Sequence, residues 1–232
     1  MAATEISKLN LKNIMDQEHV DLTSEDTFLI SAIHQEVFSR IFPAIRHDLV
    51  GYISASLMRV SIMDRYLHRP ETEPEQLSLE LKKIETHLKE AIRGIRGMQY
   101  WDFEAKHHDS PSNIIKKSVH LMATQLAMTG IQLAIFPSEA EDLKEIETKP
   151  LLYTLLCVFS YIEDSNFDIN HLNIRQKADS ILVTFEALPS YGLATVKKNR
   201  NLIINQEFAI KFAKYHGINM AIHASEITLK RK

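Results

Sequence analysis

Cysteine is nearly absent from this chain of 232 residues: Cys157 stands alone. One thiol cannot form an internal disulfide, and such usage fits a reducing cytosol. Long apolar runs are missing too. No stretch approaches the roughly 20 apolar residues that a membrane-spanning helix needs. Met1 to Val20 scatters acids where a signal peptide keeps an uninterrupted apolar core. Neither sign of charge dominates, since 27 Lys and Arg against 30 Asp and Glu leave a net charge of −3 and a pI near 6.4. No global field therefore draws in nucleic acid or an anionic membrane. The expectation is a soluble, cytoplasmic protein with neither kind of partner.

What is present is apolar residue at regular spacing. At 45% hydrophobic, the chain is long enough for one large domain or two small ones. Phe38, Phe42, Ile45, Leu49, Ile53, Leu57, Val60, Met63 and Leu67 recur at three- and four-residue steps, the seam of a long packed helix. Thr23-Ser24-Glu25-Asp26 offers a capping hydroxyl followed by acids, a helix start. Pro43 predicts a kink one turn before His47. His47 lies two residues from both Ile45 and Leu49, hence about 200° round the helix from each. That places it, beside Asp48, on the water face. Arg69 to Pro74 closes the helix and makes a hairpin loop.

Leu77, Leu81, Ile84, Leu88, Ala91, Ile95 and Met98 form the seam of a return helix. Two such helices cannot bury a two-sided stripe between themselves. A symmetric pair of hairpins solves this as a four-helix bundle, so a homodimer is expected; folding back on the second half is the alternative. Lys106 to Pro111 reads as a linker. Beyond it, Ser112 opens a helix with Ile115, Val119, Leu121, Met122 and Leu126, stopped at Gly130. Ile131 to Phe136 is a short strand, and Pro150 to Glu163 a helix apolar almost all round. His171–Gln176 and Ser180–Glu186 alternate as a strand hairpin. Asn205 to Tyr215 is a third helix, and Asn219–His223 with Glu226–Arg231 close as strands. The fold class is α+β: a helical hairpin in a dimeric four-helix bundle, then a two-layer α/β sandwich. The divisions are an arm at 1–22, a hairpin at 23–105 and a sandwich at 110–232.

This order of parts resembles the core of a bacterial sensor histidine kinase. His47-Asp48-Leu49 is similar to that family's histidine-acid signature, and Phe208 to Gly217 to its last helix, which ends in His-Gly before a strand. The resemblance runs from about Glu25 to the C-terminus and implies that His47 is a phosphoacceptor with Asp48 as proton acceptor or orienter. Where the family carries an asparagine-rich, ATP-binding helix, the chain has Cys157-Val158-Phe159-Ser160-Tyr161. Ala187 to Gly192 lacks the family's Asp-x-Gly-x-Gly turn, and Leu193 to Asn205 contains no glycine. Phosphates are cradled by backbone amides that such loops bring close. The resemblance therefore implies a sandwich that has lost ATP, like the histidine phosphotransferases of phosphorelays. No cofactor is expected, with Mg²⁺ supplied by the receiver domain of a response-regulator partner.

Imidazole suits that role, because its ordinary pKa of about 6.5 leaves much of it neutral and nucleophilic at pH 7. Neighbours one apart on a helix do not face each other, so the role of Asp48 comes from the resemblance alone. Gly51 stands four residues beyond His47, where related kinases with phosphatase activity carry Thr or Asn. Other readings stay open: a pseudokinase scaffold or inhibitor that binds receivers without phosphate, a kinase with a divergent ATP site, and His47 as an ordinary surface histidine. His107-His108 reads as a solvated linker, His216 as a residue facing the helix dipole, and Trp101 and Tyr161 as packing residues. His68, His87, His120, His171 and His223 form no evident cluster. The basic run Lys197-Lys198-Asn199-Arg200 is too short for a nucleic-acid surface.

Overall fold

The structure is a computed structural model that describes residues 23–71, 73–101, 106–138, 144–165, 168–188 and 203–231. The expectations for the arm at 1–22, for the basic run and for most of the Leu193–Asn205 segment lie outside those residues.

Helix α1, Ser24–Leu67, begins where the capping signal stands. Thr23 Oγ1 accepts from the Asp26 backbone N–H at 3.1 Å, and the Asp26 carboxylate accepts from the Thr23 N–H at 3.3 Å. This reciprocal pair satisfies two amides that the first helical turn leaves without partners. The helix is continuous through Pro43. Helix α2, Pro74–Met98, opens with proline in its first turn, where a missing N–H costs nothing, and runs into a short 3₁₀ turn at Gln99–Trp101. Gly94 sits where the hairpin closes, since a Cβ there would meet Leu49 Cδ2 at 3.2 Å.

The linker expectation is corrected. His108–Asp109 is a short strand, β1, paired antiparallel with β3, Ile146–Glu147, and Thr148 N–H donates to His107 O at 2.8 Å. Backbone groups that a loop would show to water are paired here. Helix α3, Pro111–Met128, is capped by Ser110 rather than Ser112, its Oγ accepting from Asn113 N–H at 3.3 Å. Pro111, in the first turn, sets the register. The Ser112 hydroxyl instead donates to Gln176 Oε1 at 2.8 Å. Gly130, at φ 85°, takes the left-handed turn that ends this segment.

Strand β2 is Gln132–Ile135, α4 is Thr148–Asp164, and β4 and β5 are Asp168–Gln176 and Ile181–Leu188. Helix α5, Gln206–Tyr215, and strands β6, Ile218–His223, and β7, Glu226–Arg231, complete the chain. The five-stranded sheet has the order β2-β4-β5-β7-β6. Only the β2–β4 pair in it is parallel. Helices α3, α4 and α5 form the layer on this sheet. Every residue of α4 from Leu151 to Ile162 is buried, as its near-continuous apolar character requires.

The reason α4 has no wet face is the first half of α1. Ile30, Ile33, Val37, Ile41 and Ile45 belong to one core with Leu152, Leu155, Phe159 and Phe212. Half of the long helix is thus a third layer on the sandwich, and the apolar stripe expected to face other bundle helices begins only beyond it. The Phe38 ring lies tilted 5.4 Å from Trp101, whose ring in turn lies 6.0 Å from Tyr153, so Trp101 is a packing residue, as is the buried Tyr161.

Candidate functional site

The second half of α1 leaves the sandwich and carries His47 into water. Its side chain is 71% exposed, on the face opposite Ile45 and Leu49, which pack inward. Nδ1 lies 3.2 Å from Asp48 Oδ1. The two side chains meet although they are adjacent in sequence, contrary to the helix-neighbour rule. Each is long enough to bridge the roughly 100° between successive positions. An ionised carboxylate can only accept, so a neutral ring that makes this bond donates from Nδ1 and keeps its lone pair on Nε2.

Asp48 is held from its other side. Thr124 Oγ1, on α3, donates to Asp48 Oδ2 at 2.8 Å. A shallow cleft beside this bond is lined by Asp48, Leu49, Tyr52, Glu90, Gly94 and His120, among others. Burial, and after it the Asp48 carboxylate, hold the Tyr52 phenol above its usual range. Of the histidines set aside from sequence, His120 thus borders the site. A Cβ built on Gly51 meets nothing, so the position accepts a side chain without collision.

Cys157, Val158, Phe159, Ser160 and Tyr161 lie inside the core. Burial pushes the Cys157 thiol far up, well away from reactivity. Among the described residues no group of three or more His, Cys, Asp or Glu could hold a metal ion. None of the described helices is long and apolar enough to cross a membrane.

Two clusters escaped the sequence reading. Arg40 is almost wholly buried between Glu36 Oε1 at 2.9 Å, Asp164 Oδ2 at 2.8 Å and Glu163 Oε2 at 3.8 Å. Asp164 Oδ2 also accepts the Ile204 N–H at 2.7 Å. The signal was an i,i+4 Glu-Arg pair inside an apolar stripe. His216 is the second case and a correction. It ends α5, as expected, but its ring turns inward, with Nε2 3.2 Å from His34 Nε2 among Tyr153, Phe212 and Tyr215. Burial holds His34 down at about 4 and His216 well below the usual range, His34 adding to the latter. Both are neutral near pH 7, so no imidazolium stands at that helix end.

No protein-family profile matches the chain, and no curated protein does. Solved structures similar to it include a bacterial phosphotransferase, 13% identical with a TM-score of 0.39, aligned over 90% of this chain and 97% of that one. The cytoplasmic segment of histidine kinase QseC is 11% identical, TM-score 0.40, over 62% of this chain and 94% of its own. The Acinetobacter baumannii histidine kinase AdeS is 10% identical, TM-score 0.38, over 80% and 97%.

Proposed function

We propose that the chain is a histidine phosphotransferase that accepts a phosphoryl group on His47 from the aspartyl phosphate of a receiver domain and passes it on. One observation carries this reading: an exposed imidazole on a long helix, with Nδ1 engaged by a carboxylate and Nε2 open to water. In the step, the Nε2 lone pair forms the N–P bond as the P–O bond to the receiver aspartate breaks. The electron pair leaves on that carboxylate. The proton stays on Nδ1, where Asp48 faces the positive charge that develops on the ring. Mg²⁺ at the acyl phosphate belongs to the receiver partner. The chain has no autokinase step, because Cys157 to Tyr161, where the resemblance would put an ATP-binding helix, carry no asparagine and lie in the core.

The active form is a cytoplasmic homodimer. Leu57, Val60 and Leu67 on α1 and Leu81, Leu88 and Ile95 on α2 are 46–68% exposed, an apolar stripe on both arms of one hairpin. A second hairpin of the same kind supplies the matching seam. The test is incubation with a panel of receiver domains carrying ³²P on aspartate. Label on wild type that is acid-labile and absent from His47→Ala supports the proposal. Receiver binding without label in any combination replaces it with the scaffold reading.

A further inference from the structure

Several serine and threonine hydroxyls inside the described helices turn back on their own backbone, while Ser112, in the first turn of α3, reaches Gln176 on the adjoining strand. Ser56 donates to Tyr52 O, Thr86 to Lys82 O and Thr154 to Pro150 O, each one turn earlier, at 2.7–2.9 Å. Thr124 does otherwise. Its hydroxyl crosses from α3 to Asp48 on α1, residues far apart in sequence, and makes a 2.8 Å bond to a charged acceptor. Such bonds are among the stronger ones. The approach that permits it is built into α2. Gly97 leaves room for Leu121, one turn before Thr124, where a Cβ would press on Cδ2 at 3.1 Å, and Gly94 leaves room for Leu49, next to Asp48, where a Cβ would press at 3.2 Å.

We propose that Thr124 is a positioning residue: held on the sandwich, it fixes the Asp48 carboxylate so that the free oxygen takes the Nδ1–H of His47 and leaves Nε2 as the acceptor nitrogen. Asp48 carries one oxygen on each partner, so Thr124 hydroxyl, carboxylate and imidazole form a line from the sandwich to the exposed nitrogen. Without Thr124, the carboxylate swings and His47 returns to the tautomer mixture of an ordinary imidazole, in which Nε2–H dominates. The state of the nucleophile thereby depends on where the sandwich sits against the hairpin. This inference rests on the phosphotransferase reading for its consequence, though not for its geometry.

The experiment uses the full chain at pH 8 and long-range ¹⁵N–¹H spectra of the His47 ring. Wild type shows Nδ1–H, Thr124→Val moves the signal toward Nε2–H, and Thr124→Ser stays with wild type. In parallel, phosphoramidate serves as a small phosphoryl donor. The Thr124→Val chain takes up label about tenfold more slowly, a loss of the size that removing the hydrogen-bond partner of a metal-ligating side chain causes. The Thr124→Ser chain stays near the wild-type rate, and binding of an unphosphorylated receiver is unchanged in both. A wild-type ring that is mostly Nε2–H overturns the proposal without any variant. So does Thr124→Val with the wild-type tautomer and rate. If no phosphorylated receiver labels wild type, the phosphotransferase reading fails while the ring spectra still decide the positioning role.

Discussion

Helix α1 holds His34 in its first half and His47 in its second, and the two imidazoles have nothing in common but the helix. His34 lies against Tyr153, Phe212 and His216 with its pKa held down at about 4. His47 stands in water against Asp48. The first half of the helix is a layer of the core, held by apolar burial and by ions sealed from solvent. The second half packs on α2 along one side and shows exposed apolar side chains on the other. One continuous element thus joins a sealed part of the core to a surface with exposed apolar side chains. Residue type alone decides little; which half a residue occupies decides what it can do.

The sharpest way to break this contrast is at Arg40. Truncation to Met leaves Glu36, Glu163 and Asp164 as buried carboxylates without their guanidinium. The expected loss is about 3–5 kcal/mol, read as a fall in the urea midpoint. Ile33→Ala, in the same half and with no exposed surface, should cost about 2–5 kcal/mol by the same measurement. Leu57→Ala, in the other half and 63% exposed, should leave the fold of a single chain within about 0.5 kcal/mol. Its effect belongs in sedimentation equilibrium, as weaker self-association.

A pH titration sharpens the comparison of the histidines. His34 is neutral in the fold with a pKa near 4, while the unfolded chain binds a proton near 6.5. The unfolded state then holds more protons across that window. Stability is full above about pH 6.5 and falls as pH drops toward 4. The urea midpoint should follow, and His34→Phe should flatten the slope. His216 acts in the same direction. His47→Ala, with little packing to lose, should change stability by no more than about 0.5 kcal/mol.

Much of this layout was legible in the sequence, for reasons that vary by element. The Thr23 cap, the all-apolar α4 and the alternating β4–β5 hairpin follow from local pattern, and each stands where the pattern placed it. The exposure of His47 followed from helical spacing. What local pattern could not carry was partnership across the chain. Nothing near Ile30 or Ile33 says that their stripe meets α4 rather than another hairpin, because both partners want the same apolar face. Thr124 is one hydroxyl on a half-buried helix, and only the fold reveals that it reaches Asp48. His216 stands at a helix end, where position argues for a cation. Yet beside Phe212 and Tyr215 of its own helix the rings of His34 from α1 and Tyr153 from α4 close round it, and the sequence does not show those two as neighbours. The β1–β3 pairing, made of two residues on each side, is too short to leave a periodic signal.

The proposed function depends on His47 as the phosphoacceptor. Phosphopeptide mapping under alkaline conditions, after incubation with a labelled receiver, tests it most directly. The expected result is one acid-labile phosphate, on the peptide containing His47, bonded through Nε2, and none in His47→Ala. Label on another residue, or none on wild type while a receiver still binds, contradicts it.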